Sequence, residues 1–188
     1  MKKFFNAVII SACLLLYGSA YAVEENVSDV INKTRDIQTH ISNIGFKILN
    51  ANGIEKRIIF VYSPKLNKLD YESELTKRQV VAYNKVIQFA ENDDEIAGFL
   101  AREICKSAES YLGMGKGLVS AAQVKLAPKK YEIFFDKRAV DFMVKAGYNP
   151  LGLITFINKT YPQKRQDKIA RTNLTSKRLA YIYEYIYT

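Results

Sequence analysis

Asn92-Asp93-Asp94-Glu95-Ile96-Ala97-Gly98-Phe99-Leu100-Ala101-Arg102-Glu103-Ile104-Cys105-Lys106 is the stretch on which the fold turns. Asn92 looks like an N-cap residue, with a carboxylate three positions on at Glu95. Ile96, Phe99, Leu100 and Ile104 follow at spacings of three and four, so the run predicts a helix with one apolar stripe. It is expected to end near Gly113-Met114-Gly115-Lys116-Gly117, whose glycines follow no strand and lack phosphate-loop spacing.

Working outward, Tyr131 to Lys145 reads as a second helix closed by Gly147, and Asn149-Pro150 opens a third through Leu153, Ile154, Phe156 and Ile157. Leu174 to Tyr187 is ambiguous. Its Tyr-Ile-Tyr-Glu-Tyr-Ile-Tyr alternation suits a strand, whereas Leu179, Ile182 and Ile186 suit a helix; we choose the helix and expect Tyr181, Tyr183, Tyr185 and Tyr187 to line a core face, with a membrane-interface or partner surface as the other reading. Upstream, Val27, Val30, Ile31, Ile37, Ile41, Ile44 and Ile48 predict an amphipathic helix over 24–51, broken at Asn50-Ala51-Asn52-Gly53. Arg57 to Tyr62 and Arg78 to Tyr83 are β-branched and aromatic runs, read as strands, with Lys65 to Lys77 as a loop or exposed edge.

The 188 residues, 48% hydrophobic and 25% charged, fit one globular domain. The beginning differs. Lys2-Lys3, the apolar run Phe4 to Leu16 and Ala20-Tyr21-Ala22 form the three parts of a secretory signal, so residues 1–22 are expected to be removed and 23–188 to form the domain. An uncleaved anchor is an alternative, although the run is short of the ~20 apolar residues of a full span. Ile10-Ser11-Ala12-Cys13 also allows a lipoprotein reading, with Leu14-Leu15-Leu16 standing where a polar tether belongs.

The chain carries 28 basic and 19 acidic residues, formally +9, and loss of Lys2 and Lys3 would leave about +7. In an exported protein that charge points to anionic lipid, acidic envelope polymers or an acidic protein, ahead of nucleic acid. Solubility alone is the simpler account. Of two cysteines only Cys105 would remain, which excludes an internal disulfide and suits a buried thiol.

Arg102-Glu103-Ile104-Cys105-Lys106 occupies the place in its helix where a zinc hydrolase reads His-Glu-x-x-His. Positions i and i+4 share a helix face, so two histidines there can hold one zinc ion while the glutamate polarises its water. Both ligand positions here are cations. Arg102 has no lone pair to give, and Lys106 must lose its proton before it can coordinate; Glu103, the general-base position, remains.

Four blocks in order extend the likeness. The strand Ile58 to Tyr62 with Asn67, the strand Val80 to Tyr83 leading into Asn92 to Ala97, Phe134-Phe135-Asp136-Lys137-Arg138-Ala139-Val140-Asp141 before Ala146-Gly147-Tyr148-Asn149-Pro150, and Arg171 to Arg178 together resemble the HtpX-like and BepA-like zinc metallopeptidases, metallopeptidase family forty-eight. The likeness spans roughly residues 36–187. It implies a mainly helical, zincin-like α+β domain with a small sheet, Asp136 and Arg178 as supports of the metal ligands, and Phe134 at the third, glutamate, ligand position; the His-Pro pair of the last block is replaced by Thr172-Asn173.

With Arg102, Lys106 and Phe134 at the ligand positions, the expectation is an exported, catalytically inactive pseudopeptidase without metal or cofactor. It would bind protein or peptide clients in the periplasm or extracellular space, with membrane association as a further option. The alternative is a zinc-dependent metalloendopeptidase with divergent ligands. Two placements of the cations stay open: Arg102 or Lys106 neutralises Glu103 and Asp136 internally, or both face solvent, Lys106 pairing with Glu109. We favour solvent for Lys106. The single histidine, His40, makes no site by itself, and a Cys105-His40 pair rests on residue type alone. The carboxylates Asp70, Glu72, Glu74, Asp93 and Asp94 read as solvated loop and helix-start residues, and Lys129-Lys130 and Lys164-Arg165 as exposed.

Overall fold

The computed structural model describes residues 29–55, 58–64, 79–112, 128–160 and 174–188. Residues 1–28, Lys65 to Lys77, the glycine-rich 113–117 segment, Thr172-Asn173 and Lys164-Arg165 lie outside the described residues, as do the side chains of Glu109, Lys129 and Lys130. The chain divides into two units, residues 1–37 and 38–188. Within the first, 29–37 is helical and largely exposed.

The described residues are mostly helical with a two-stranded sheet, an α+β arrangement. Helix α1 covers 29–51; β1 (Ile59–Ser63) and β2 (Gln79–Tyr83) follow, then α2 (Asn84–Phe89), α3 (Asp93–Leu112), α4 (Pro128–Lys145), α5 (Leu151–Thr160) and α6 (Leu174–Tyr187). Both strands fall within two residues of their sequence-based bounds. They run parallel, with Phe60 opposite Val80 and Tyr62 opposite Ala82.

In the second unit, Ile41, Ile44 and Ile48 of α1 are buried, and Gly45 lets α1 settle onto the sheet. A Cβ at Gly45 would stand 2.4 Å from the Phe60 ring, against which Phe46 also packs edge-on. Helix α1 ends at Gly53, φ +61°, where Ile54 N–H donates to Leu49 O and Gly53 N–H to Asn50 O. Gly147, φ +73°, closes α4 in the same way, through Tyr148 N–H to Met143 O and Gly147 N–H to Val144 O. Only a residue without Cβ takes this left-handed turn cheaply.

Helix α3 forms the centre. Ile96, Ala97, Phe99, Leu100, Ala101, Ile104 and Cys105 are all buried, and Cys105 lies outside any disulfide. At its start Asn92 Oδ1 accepts from Glu95 N–H, while Glu95 reaches back to Glu91 N–H, a capping exchange displaced by one residue from the expected form. Glu95 also binds Lys159 of α5 at 2.8 Å. The lysine lowers the Glu95 carboxyl despite the opposing pull of burial, which is the larger single influence. Asn149 caps α5 by accepting from Leu151 N–H.

Helix α6 corrects one expectation. Ile182 is buried, with Leu179 and Ile186 half-buried, but Tyr181, Tyr183, Tyr185 and Tyr187 are exposed. The reason is the helical period: Arg178, Ile182 and Ile186 stack on the inward face, so side chains at alternate odd positions swing about 100° to either side of it. The Tyr183 and Tyr187 rings meet at a tilt, 4.6 Å between centroids, and Tyr185 donates to Asp141. Among the described residues no helix is long and apolar enough to cross a membrane.

Candidate functional site

The Arg102–Lys106 run lies where α3, α4 and α6 meet. Arg102 is 5% exposed, Glu103 2%, Asp136 0% and Arg178 5%. Four buried charges within one helical interface require partners, since an isolated buried ion is costly.

They find them in one another. Arg102 Nε donates to Asp136 Oδ1 at 2.8 Å, and its Nη2 binds Glu132. Arg178 approaches from α6 as a fork, Nε to Asp136 Oδ2 at 2.6 Å and Nη2 to Oδ1 at 2.8 Å. Glu132 also lies 3.7 Å from Arg178 Nη1. On the other side of Arg102, Glu103 Oε1 stands 3.7 Å from Nη1 and accepts from Lys106 Nζ at 2.8 Å. Arg102, Lys106 and Arg178 thus balance Glu103, Glu132 and Asp136, and the two-pronged geometry of Arg178 on Asp136 is the strong form of such contacts.

The expectation of a solvent-facing Lys106 is corrected. Its side chain turns inward to Glu103, one turn back on the same helix, because that carboxylate is buried and lies i−3. Burial pulls the Lys106 amine down to about 8 from 10.5, with Arg102 pushing the same way and Glu103 opposing. Phe134 is corrected as well. At 100° per residue it sits on the far side of α4 from Glu132 and Asp136, which share a face, and its ring meets Phe135 at 5.7 Å. The α4 side chain that meets Arg102 one turn before Asp136 is Glu132, which the sequence reading missed. Its signal was an i, i+4 pair of acids across the otherwise apolar Ile133-Phe134-Phe135.

His40 lies elsewhere, exposed, its Nε2 2.9 Å from Asp93 Oδ1. Among the described residues no group of three His, Cys, Asp or Glu side chains is placed to hold a metal ion. The donor chemistry around Arg102 does not suit zinc either: Glu132 could ligate, but the α3 side chains Arg102 and Lys106 are a guanidinium and a protonated amine. Searches of family models, curated proteins and solved structures found no match to the chain.

Lys106 gives a test of this geometry by pH. Below about pH 8 the amine is charged in the folded and unfolded chain alike, and the folded protein carries the full cost of burying it. Between 8 and 10.5 the folded state releases its proton first, so the unfolded state binds more protons and stability rises with pH. Urea unfolding of the wild type and Lys106→Met at pH 7.5 and 10 should show the wild type gaining on the variant by about 2 kcal/mol. Tyr148, whose pKa burial raises, and Tyr185, held up by its bond to Asp141, titrate in both proteins and cancel in the difference. Parallel pH profiles would mean that Lys106 is solvated.

Proposed function

We propose that this chain is an exported, metallopeptidase-like pseudoenzyme that acts by binding protein or peptide segments in the cell envelope. The observation that carries this reading is the Arg102 guanidinium, buried between Glu103, Glu132 and Asp136 at the centre of the altered motif. A fixed cation there does the electrostatic work of an ion, holding carboxylates of α3 and α4 together, but it cannot polarise a bound water as a Lewis acid does. Glu103, engaged by Lys106, is then a structural anion rather than a general base. The zincin-like reading is supported by the ordered motifs of the sequence and by the convergence of Arg102, Glu103, Lys106, Asp136 and Arg178, while Phe134 lies apart on the other side of α4.

Binding without chemistry fits such a scaffold. An extended segment can add to the edge of a sheet through main-chain hydrogen bonds, which require no metal. The basic balance of the chain favours acidic clients or an anionic surface over nucleic acid in that compartment.

The deciding experiment is the zinc content of the purified protein, measured by elemental mass spectrometry after dialysis against metal-free buffer. Near-zero zinc in a folded protein is the expected result. One zinc per chain, surviving dialysis, would overturn the pseudoenzyme reading and favour a metalloendopeptidase with divergent ligands.

A further inference from the structure

The two faces of α6 differ in what they meet. Arg178 and Ile182 turn inward and are buried. Outward, Lys177, Ala180, Glu184 and Tyr187 recur at intervals of three, four and three, all exposed, with exposed Tyr183 beside them. That is the spacing with which a helix lines a seam against a second helix. On one flank Tyr181 and Tyr185 are engaged by α4: Lys137 lies over both rings, 6.0 and 5.1 Å from their centroids, and Tyr185 donates to Asp141. Along the seam and its other flank, among the described residues, Tyr183 and Tyr187 make a ring contact only with each other, and the Lys177 and Glu184 side chains have no ionic partner. Nor can those two charges meet within one helix. They stand two turns apart on the same face, about 10.5 Å along the axis.

We infer that the outward face of α6 is a two-fold contact with a second copy of this chain, the two α6 helices lying antiparallel. The order of charges names the occupant. With the two-fold axis beside Ala180, positions 177 and 184 are equidistant from it, so Lys177 of one copy comes level with Glu184 of the other, and the pair occurs twice. A parallel pairing would instead set lysine on lysine and glutamate on glutamate, and an anionic membrane would meet Glu184 in the middle of the face. Ala180, the smallest side chain of the seam, falls where the two backbones come closest. Tyr183 and Tyr187 then flank the contact, as aromatic residues favoured at interfaces do. Fourteen helical residues reach about 21 Å, so the contact belongs to the small class of interfaces, below about 1,200 Å², and the dimer should form at roughly tens of micromolar protein.

The test is sedimentation velocity and equilibrium of the purified protein at low salt, as wild type, Lys177→Glu, Glu184→Lys, the double reversal and Ala180→Arg. Each single reversal turns both ion pairs into like charges and should weaken the dimer at least about tenfold. The double reversal should restore it. An equimolar mixture of Lys177→Glu and Glu184→Lys should do so too, as a heterodimer, because each copy then offers the charges the other lacks. Ala180→Arg should stay monomeric. All five substitutions sit on exposed positions, and circular dichroism with urea unfolding checks that the folds match.

A wild type that stays monomeric up to about 1 mM would overturn the inference. So would a dimer indifferent to the single reversals, which would place the contact on another face. Loss in the single variants without recovery in either the double variant or the mixture would overturn the antiparallel register. The inference goes beyond the reading of the Arg102 cluster and does not depend on the zinc content of the protein.

Discussion

Replacing Asp136 with alanine is expected to destabilise the protein by about 3–5 kcal/mol, the usual penalty for removing one partner from a buried charge set. Asp136 holds Arg102 and both prongs of Arg178, and without it two guanidinium groups in the same dry interface lose their most buried carboxylate, with half-buried Glu132 and Glu103 at 3.7 Å still beside them. The two arginines would then also repel each other. Urea unfolding followed by circular dichroism at neutral pH measures the loss, and a cost under about 1 kcal/mol would mean that the set is solvated. A companion protein separates charge balance from packing. Arg102→Met, Glu132→Gln, Asp136→Leu and Arg178→Met combined exchange the interlocked ions for neutral groups of similar volume, and should lie within about 1 kcal/mol of the wild type or above it. If the fourfold variant instead lost as much as Asp136→Ala, the ion set would contribute net stability beyond its own neutrality.

Gly152→Ala should be comparably damaging for a different reason. A Cβ there would stand 2.5 Å from the backbone carbonyl carbon and oxygen of Asp94, at the first turn of α3. Backbone cannot move aside as a side-chain tip can. Asp94 is also held by Asn149, whose N–H donates to its carboxylate, and Glu95 beside it is tied to Lys159, so α5 and the start of α3 cannot slide apart without breaking both links. Overpacking of this kind costs about 1–3 kcal/mol or more, and the expected value is at the top of that range. A lowered urea midpoint with an unchanged dependence on urea would be the signature. Gly152→Ala with wild-type stability would mean that the α3–α5 approach is looser than these distances.

The elements were legible in the sequence because their signals are local. Asn92 and Asn149 announce helix starts by a side chain that reaches two or three residues ahead, and Gly53 and Gly147 announce helix ends because the turn forbids a Cβ. The pairing of β1 with β2, by contrast, depends on residues far apart, and nothing in Ile59–Ser63 states that its partner runs parallel. Periodicity assigned Ile182 inward but said nothing secure about tyrosines at 100° to it. The charged residues of the Arg102–Lys106 run were visible as residue types, and their wiring was not. A long flexible cation such as Lys106 can turn to solvent or to a buried carboxylate, and only the rotation of neighbouring helices decides which. The family resemblance points to Phe134, whereas the helical face shared with Asp136 selects Glu132.

Asp136 meets Arg102 34 residues behind it and Arg178 42 residues ahead. That reach sets an order on assembly. Helices α3 and α4 can nucleate locally, but each distant closure carries a loop-entropy cost before its contacts return anything. Until α6 docks, Asp136 has one of its two guanidinium partners, and the interface that will exclude water must stay wet. The last described helix is therefore the clasp of the core: without it Asp136 keeps one of its two guanidinium partners.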